Sequence, residues 1–259
     1  MHHSLYHFQD FQSGVLAERL ADILQNHRIY CSNPKDFNDP WDCKPYFDPS
    51  LLDDPANRAA SAESLIRTQK GGPRGNAEDE RIRTDLPFLK ALVHRFSLEQ
   101  FEFITKRWGV YCLSPDPCNA LMWSHYSRNH RGICLEFCSR TTLFNGARKV
   151  RYQKEYPSFL LHDQDTYLEM LLVKSDVWSY EQEWRLICPR FTDVRFHPLL
   201  MDGNYLPFNP TDLKSVILGC QADNETVEQV QALVAQHAPA TRVRHAKRAI
   251  NKYRLRIEG

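Results

Sequence analysis

No apolar run in this 259-residue sequence approaches the roughly 20 residues that cross a bilayer as a helix, so no membrane partner is expected. Charge of one sign is missing too. With 33 Lys and Arg against 32 Asp and Glu, the formal net charge is +1, which provides no global field toward nucleic acid or lipid. Paired cysteine motifs are absent: none of Cys31, Cys43, Cys112, Cys118, Cys134, Cys138, Cys188 and Cys220 forms a CxxC, and no secretory signal precedes them. Free thiols in a reducing cytoplasm are the expectation. Cys134–Cys138 and His125–His130 are the nearest ligand pairs, at spacings unlike a zinc ribbon or finger, so no metal is expected. No internal repeat is apparent.

What remains is globular material, 42% hydrophobic and long enough to bury a sizeable core. Aromatics at 12% are plentiful enough to line a pocket as well as fill that core. The pattern predicts one α+β domain over residues 1–259. SLYHF at 4–8 and RIYCS at 28–32 read as strands around a helix over 14–26. FNDPWD at 37–42 reads as a proline-constrained loop in which Asn38, Asp39 and Asp42 can bond local backbone. Residues 49–105 read as a helical insertion, with helices over 51–70 and 85–105. Between them the polar stretch TQKGGPRGNAEDERIRTD is expected to be a mobile loop.

WGVYCL at 108–113 and ICLEF at 133–137 read as strands flanking a helix from Ala120 to about Asn129, capped by Asn119. Trp123, Tyr126 and His130 share one side of that helix. Such a stripe is more often core than ligand contact, yet the many hydrogen-bonding groups beside it are hard to bury without partners. Later, 160–173 reads as a helix, 189–210 as loop-rich, and 213–219 and 241–244 as strands around a helix over 224–237. Seven Lys or Arg between Arg242 and Arg256 are either a patch for nucleic-acid phosphates or a hairpin edge kept solvated by charge.

The stretch KSDVWSYEQEWRLI at 174–187 is the expected working centre, read as a strand from Trp178 onward. On a strand Glu181, Glu183 and Arg185 share one face, with the carboxylates roughly 6–7 Å apart. Two carboxylates there can touch different atoms of one ligand. The plainer alternative is a solvated face on which Arg185 compensates the glutamates.

LYHF, FNDPWD, LMWSHYSRNHRGICLEF at 121–137, the stretch from Lys174 through WSYEQEWRLI and VILG at 216–219 together resemble a bacterial family catalogued as domain of unknown function 2971. More distantly, the landmarks resemble the ADP-ribosyltransferase fold. That fold carries a His or Arg on its first core strand, a middle strand followed by Ser or Tyr, and a glutamate on a later strand. The resemblance implies a split β-sheet core and NAD as substrate. It implies that His7 bonds the ribose hydroxyls and that Ser114, Tyr111 or Tyr126 supports the nicotinamide ribose or ring. Trp123 and Arg185 complete the candidate cofactor contacts. Glu183 would stabilise the oxocarbenium-like centre and Glu181 would orient or deprotonate the acceptor, a protein arginine, a nucleic-acid base or water.

The implied activity is an NAD-dependent ADP-ribosyltransferase or NAD glycohydrolase, an intracellular toxin or anti-phage effector. Two alternatives stand beside it. One is a non-enzymatic nucleotide- or peptide-binding module built on the WSHYSRNH helix. The other is a metal-dependent nuclease effector using Asp176, Glu181, Glu183 and the basic tail, although no carboxylate–x–lysine element follows a paired acid.

Overall fold

The computed structural model describes residues 3–12, 15–44, 46–68, 77–161, 166–190 and 201–259. Strand β1 (Ser4–Gln9), helix α1 (Val15–Asn26) and strand β2 (Arg28–Tyr30) lead into helices α2 (Pro55–Thr68), α3 (Ala77–Thr84) and α4 (Leu86–Arg107). Next come β3 (Trp108–Leu113), α5 (Ala120–Tyr126), β4 (Ile133–Cys138), β5 (Arg148–Lys149) and β6 (Arg151–Gln153). Then follow α6 (Thr166–Met170), β7 (Val173–Ser175), β8 (Trp184–Pro189) and β9 (Tyr205–Pro207). The C-terminal part holds β10 (Leu213–Leu218), α7 (Asn224–His237), β11 (Arg242–Arg248) and β12 (Leu255–Glu258). This is an α+β chain. It divides into two compact units, the first made of Met1–Asn33, Trp108–Val150 and Val177–Gly259, the second of Pro34–Arg107 and Arg151–Asp176.

The first unit holds a mixed five-stranded sheet in the order β1-β4-β10-β11-β12, in which only β10 and β11 are parallel, joined through α7. An antiparallel sheet β3-β8-β5 and the pair β2-β9 complete it. Tyr6 and Ser114 exchange both backbone hydrogen bonds at 2.8 Å, which ties β1 to the end of β3. ICLEF is apolar almost throughout because its strand is covered on both faces. Leu135 and Phe137 pack with Leu20 and Leu24 of α1 and Val230 and Val234 of α7. Cys134 faces the opposite way and packs with Phe8, Trp123 and Ile217. Each large side chain buried in this way stabilises the fold by about 1.5–3 kcal/mol.

Asn119 does cap α5, accepting from the backbone N–H of Leu121 and Met122, but the helix stops at Tyr126 rather than near 129. Arg128, Asn129 and His130 follow with φ of 49°, 52° and 65°, three left-handed residues in a row and none a glycine. Their turn is held by long-range bonds: the His130 carbonyl accepts from Gln221 N at 2.9 Å and the Gly132 carbonyl from Gly219 N at 2.9 Å. So the SRNHRG and VILG segments meet. A Cβ at Gly219 would collide with the His130 carbonyl. Gly219→Ala is therefore expected to cost about 1–3 kcal/mol, read as a lowered urea midpoint with unchanged slope.

Several other expectations change. In the second unit the helix expected over 51–70 is a 3-10 turn, Pro49–Asp53, followed by α2; Asp54 Oδ1 accepts from Ala56 N and Asn57 N at the start of that helix. Part of the expected mobile loop is α3, fastened by fully buried Ile82 and an Arg83–Glu63 ion pair at 2.8 Å. Two apolar residues in eight, Ala77 and Ile82, leave no readable period. Residues 69–76 of that loop lie outside the described residues. Of the helix expected over 160–173, α6 covers Thr166–Met170, Val173–Ser175 pairs in parallel with β6 instead, and residues 162–165 lie outside the described residues. Residues 191–200 of the expected loop-rich stretch lie outside the described residues; its later part contains β9, which finds its partner in β2, 175 or more residues earlier in the chain, beyond the reach of local pattern.

Candidate functional site

The largest correction falls on the glutamate stretch. Asp176–Glu181 is a 3-10 helix, Gln182 has φ of 48°, and the strand begins at Trp184. Glu181 and Glu183 therefore flank a left-handed turn before β8 and are not a pair on one face of a core strand. A left-handed residue between them breaks the two-residue alternation on which the shared face depended. Nor are they solvated. Glu181, Glu183 and Arg185 are 2%, 3% and 0% exposed, which removes the solvent-facing alternative.

Each acid has its own holder. Arg185 grips Glu183 with both arms of its fork, Nε to Oε1 at 2.8 Å and Nη2 to Oε2 at 3.0 Å. The Glu183 carbonyl accepts from Val150 N at 2.9 Å. The Tyr126 hydroxyl donates to Glu181 Oε1 at 2.5 Å, and the Ser114 hydroxyl donates to the Glu181 carbonyl at 2.8 Å. Asn119 Nδ2 donates to the neighbouring Tyr180 carbonyl at 2.6 Å. Ser114, at the end of β3, and Asn119 and Tyr126, at the two ends of α5, thus converge on residues 180–181.

His7 lies on β1 with its ring stacked on Tyr111 of β3, centroids 4.2 Å apart and planes tilted by 24°. Its Nδ1 is 2.8 Å from the Cys112 carbonyl. A carbonyl only accepts, so Nδ1 carries the proton and a neutral ring presents Nε2 as an acceptor. Burial pushes the imidazole down to about 4, against the opposing pull of the Cys112 carbonyl. The unfolded ring binds its proton near 6.5, so between those values the unfolded chain holds more protons. The contribution of this ring is complete above pH 6.5 and is lost as pH falls toward 4. Urea titrations should show up to about 3 kcal/mol of pH-dependent loss over that window that His7→Gln no longer shows.

Tyr111 is buried, and its hydroxyl has no hydrogen-bond partner among the described residues. Trp123, expected as a ligand contact, is a core residue: it is fully buried, its Nε1 donates to the Pro117 carbonyl at 2.7 Å, and it meets Phe8 edge-on. Arg185 likewise offers no surface, and its work is to hold Glu183.

A polar cluster that sequence reasoning passed over sits on the Tyr6 side of the five-stranded sheet. Buried Glu136 accepts from Ser4 Oγ at 2.8 Å and Ser215 Oγ at 2.6 Å, with Arg244 Nη1 at 3.4 Å. Burial alone would raise its carboxyl; the Ser215 and Ser4 hydroxyls, with Arg244 and Lys214, outweigh burial and leave it below the ordinary value. Burial, then the Glu136 charge, pushes Tyr6 up to about 12. The only signal was an acid inside an apolar strand, ICLEF, which needs partners once buried.

The basic tail is a hairpin, β11 paired with β12 at the sheet edge. Lys247 and Arg256 pair with Glu258, and Arg244 with Glu136, so part of the positive charge is used within the sheet. Tyr253 and Ile250 at its tip are fully exposed. Among the described residues, no group of three His, Cys, Asp or Glu side chains could hold a metal ion. No described helix is long and apolar enough to cross a membrane. All eight cysteines are free thiols; Cys31 and Cys188 lie 3.6 Å apart, sulfur to sulfur.

No curated protein and no solved structure matches the chain. Residues 122–186, from α5 to β8 and including both glutamates and the left-handed turn, match the family described as protein of unknown function (DUF2971).

Proposed function

We propose that the chain is an NAD-dependent ADP-ribosyltransferase-like enzyme with a split β-sheet core, acting as an intracellular toxin or anti-phage effector. One observation carries the reading. The first, middle and late landmarks lie on or directly beside strands that neighbour one another: His7 is on β1, which is bridged to the end of β3 at Tyr6–Ser114, and Glu183 immediately precedes β8, which pairs with β3 down to Leu113–Trp184. His7 stacks on Tyr111, while Ser114 and Tyr126 hold Glu181.

In this reading His7 Nε2 accepts from a ribose hydroxyl and Glu183 faces the oxocarbenium-like centre as nicotinamide leaves. A buried carboxylate keeps its charge at less cost beside a cation, and Arg185 supplies one to Glu183. Glu181, oriented by Tyr126, takes the proton of the incoming acceptor, an arginine, a base or water. Carbon–nitrogen cleavage releases nicotinamide, and the acceptor oxygen or nitrogen forms the new bond to the ribose carbon. Incubating the purified protein with NAD and measuring free nicotinamide tests the proposal. A folded protein that neither binds NAD nor releases nicotinamide overturns it.

A second reading, a nucleotide-binding module with nucleic-acid contact through Arg242–Arg256, is supported by a surface cavity lined by His130, Arg248, Lys252, Tyr253 and Arg254. Cations beside an exposed ring suit a phosphate and a base. It predicts salt-sensitive oligonucleotide binding that survives loss of both glutamates.

A further inference from the structure

The FNDPWD segment plays no part in the proposed chemistry, yet within the second unit it builds a cavity of about 210 Å³. Asp39, Trp41, Asp42, Tyr156, Met170 and Lys174 are among its walls. Asp42 and Lys174 form a buried ion pair at 3.5 Å, so those two charges answer each other. Asp39 is different. It is 4% exposed, and its Oδ1 accepts from Trp41 N at 2.9 Å in a local turn. Among the described residues Oδ2 accepts from no group and no Lys or Arg pairs with the carboxylate. Its charge also reaches Tyr156, whose hydroxyl is pushed up to about 12 by burial, then by Asp39 and Asp42. That hydroxyl is already committed, donating to the Lys44 carbonyl at 2.6 Å.

A carboxylate this buried without a cation is costly, and a cationic ligand removes the cost. The walls decide which kind. Trp41 is 65% exposed, and among the described residues its indole meets no other aromatic ring. An indole face attracts a cation, and Tyr156 and Met170 add polarisable wall around a space larger than a metal ion needs. One free carboxylate oxygen is also a poor metal site, whereas a guanidinium or ammonium needs only one such acceptor and an apolar cradle for its stem.

We propose that the Asp39–Trp41 cavity binds an organic cation of the alkylguanidinium or alkylammonium class, with Asp39 Oδ2 as acceptor and the Trp41 ring against the cation. The site is argued on the second unit alone and does not depend on the transferase reading. Such a cation comes either from a free small molecule or from an arginine or lysine side chain.

Calorimetric titration of the full chain with n-butylguanidinium, with the Trp41 indole N–H followed by NMR, tests the site. Binding and a shift of that resonance are expected, with neither from the neutral isostere n-butylurea. Trp41→Ala should weaken binding about threefold. Asp39→Asn keeps the amide oxygen that anchors the turn and should weaken binding about tenfold or more. A capped arginine tripeptide binding at least about tenfold tighter supports the site with a protein side chain as its source; equal affinity supports it with a free small cation. Equal binding of n-butylurea, or unchanged affinity in Asp39→Asn, overturns the proposal. Should Asp39→Asn not fold, the comparison of the charged and neutral ligands on the unaltered chain decides it.

Discussion

Glu183→Gln is expected to lower nicotinamide release by about 10²–10³-fold, the scale seen when one preorganised group that stabilises transition-state charge is removed. Positive charge grows on the ribose as nicotinamide departs, and a neutral amide in the same place leaves it unanswered. Glu181→Gln should behave differently. Its carboxylate is assigned to the proton of the acceptor, which leaves only after the carbon–nitrogen bond has broken, so transfer falls further than nicotinamide release. Release by mass spectrometry and transfer by an added ADP-ribosyl group separate the two. Both variants need a thermal melt beside the assay, because Glu183 is the partner of fully buried Arg185. A folded Glu183→Gln protein that releases nicotinamide at the original rate removes Glu183 from the chemistry.

The largest expected stability effect belongs to the other half of that pair. Arg185 is fully buried and Glu183 3% exposed, with two short bonds between them. Arg185→Met strands a carboxylate in the interior and should cost about 3–5 kcal/mol. For a chain of this size that lowers the melting temperature by roughly 10 °C. Adding Glu183→Leu removes the stranded charge, and the double variant should regain at least about 2 kcal/mol, since well-packed apolar replacements of buried pairs are often neutral. If the two losses simply add, the pair is not the unit that holds this turn. A stable double variant without nicotinamide release would mean that the charges are kept for function at the expense of packing.

The elements that read correctly from the sequence are those whose burial leaves a local trace. LYHF, WGVYCL, ICLEF and LKSVIL are strands because their apolar residues feed the two cores that cover the five-stranded sheet or its neighbour. Helix α7 shows in its own spacing, and Asp223 Oδ1 caps it through Thr226 N. At the candidate site, His7, Ser114, Tyr126 and Glu181 stand out in the sequence, but their arrangement does not show there. An aromatic, apolar run such as WSYEQEWRLI has the composition of a strand throughout. Only the φ of Gln182 and the 3-10 turn before it separate the glutamates, and both are set by contacts from Ser114, Asn119 and Val150, distant in the chain.

Composition and period determined that this chain folds as α and β elements without a membrane-crossing helix among the described residues, and that its acids and rings concentrate in a few segments. Periodicity reports which side of an element meets a core, because burial of apolar area acts residue by residue. Partner choice is another matter. That Glu136 gathers Ser4, Ser215 and Arg244, and that Ser114 and Tyr126 close on Glu181, depend on segments far apart in sequence. A buried polar group or charge is costly unless the whole fold brings it a partner, and where that partner is distant in the chain no local pattern records it.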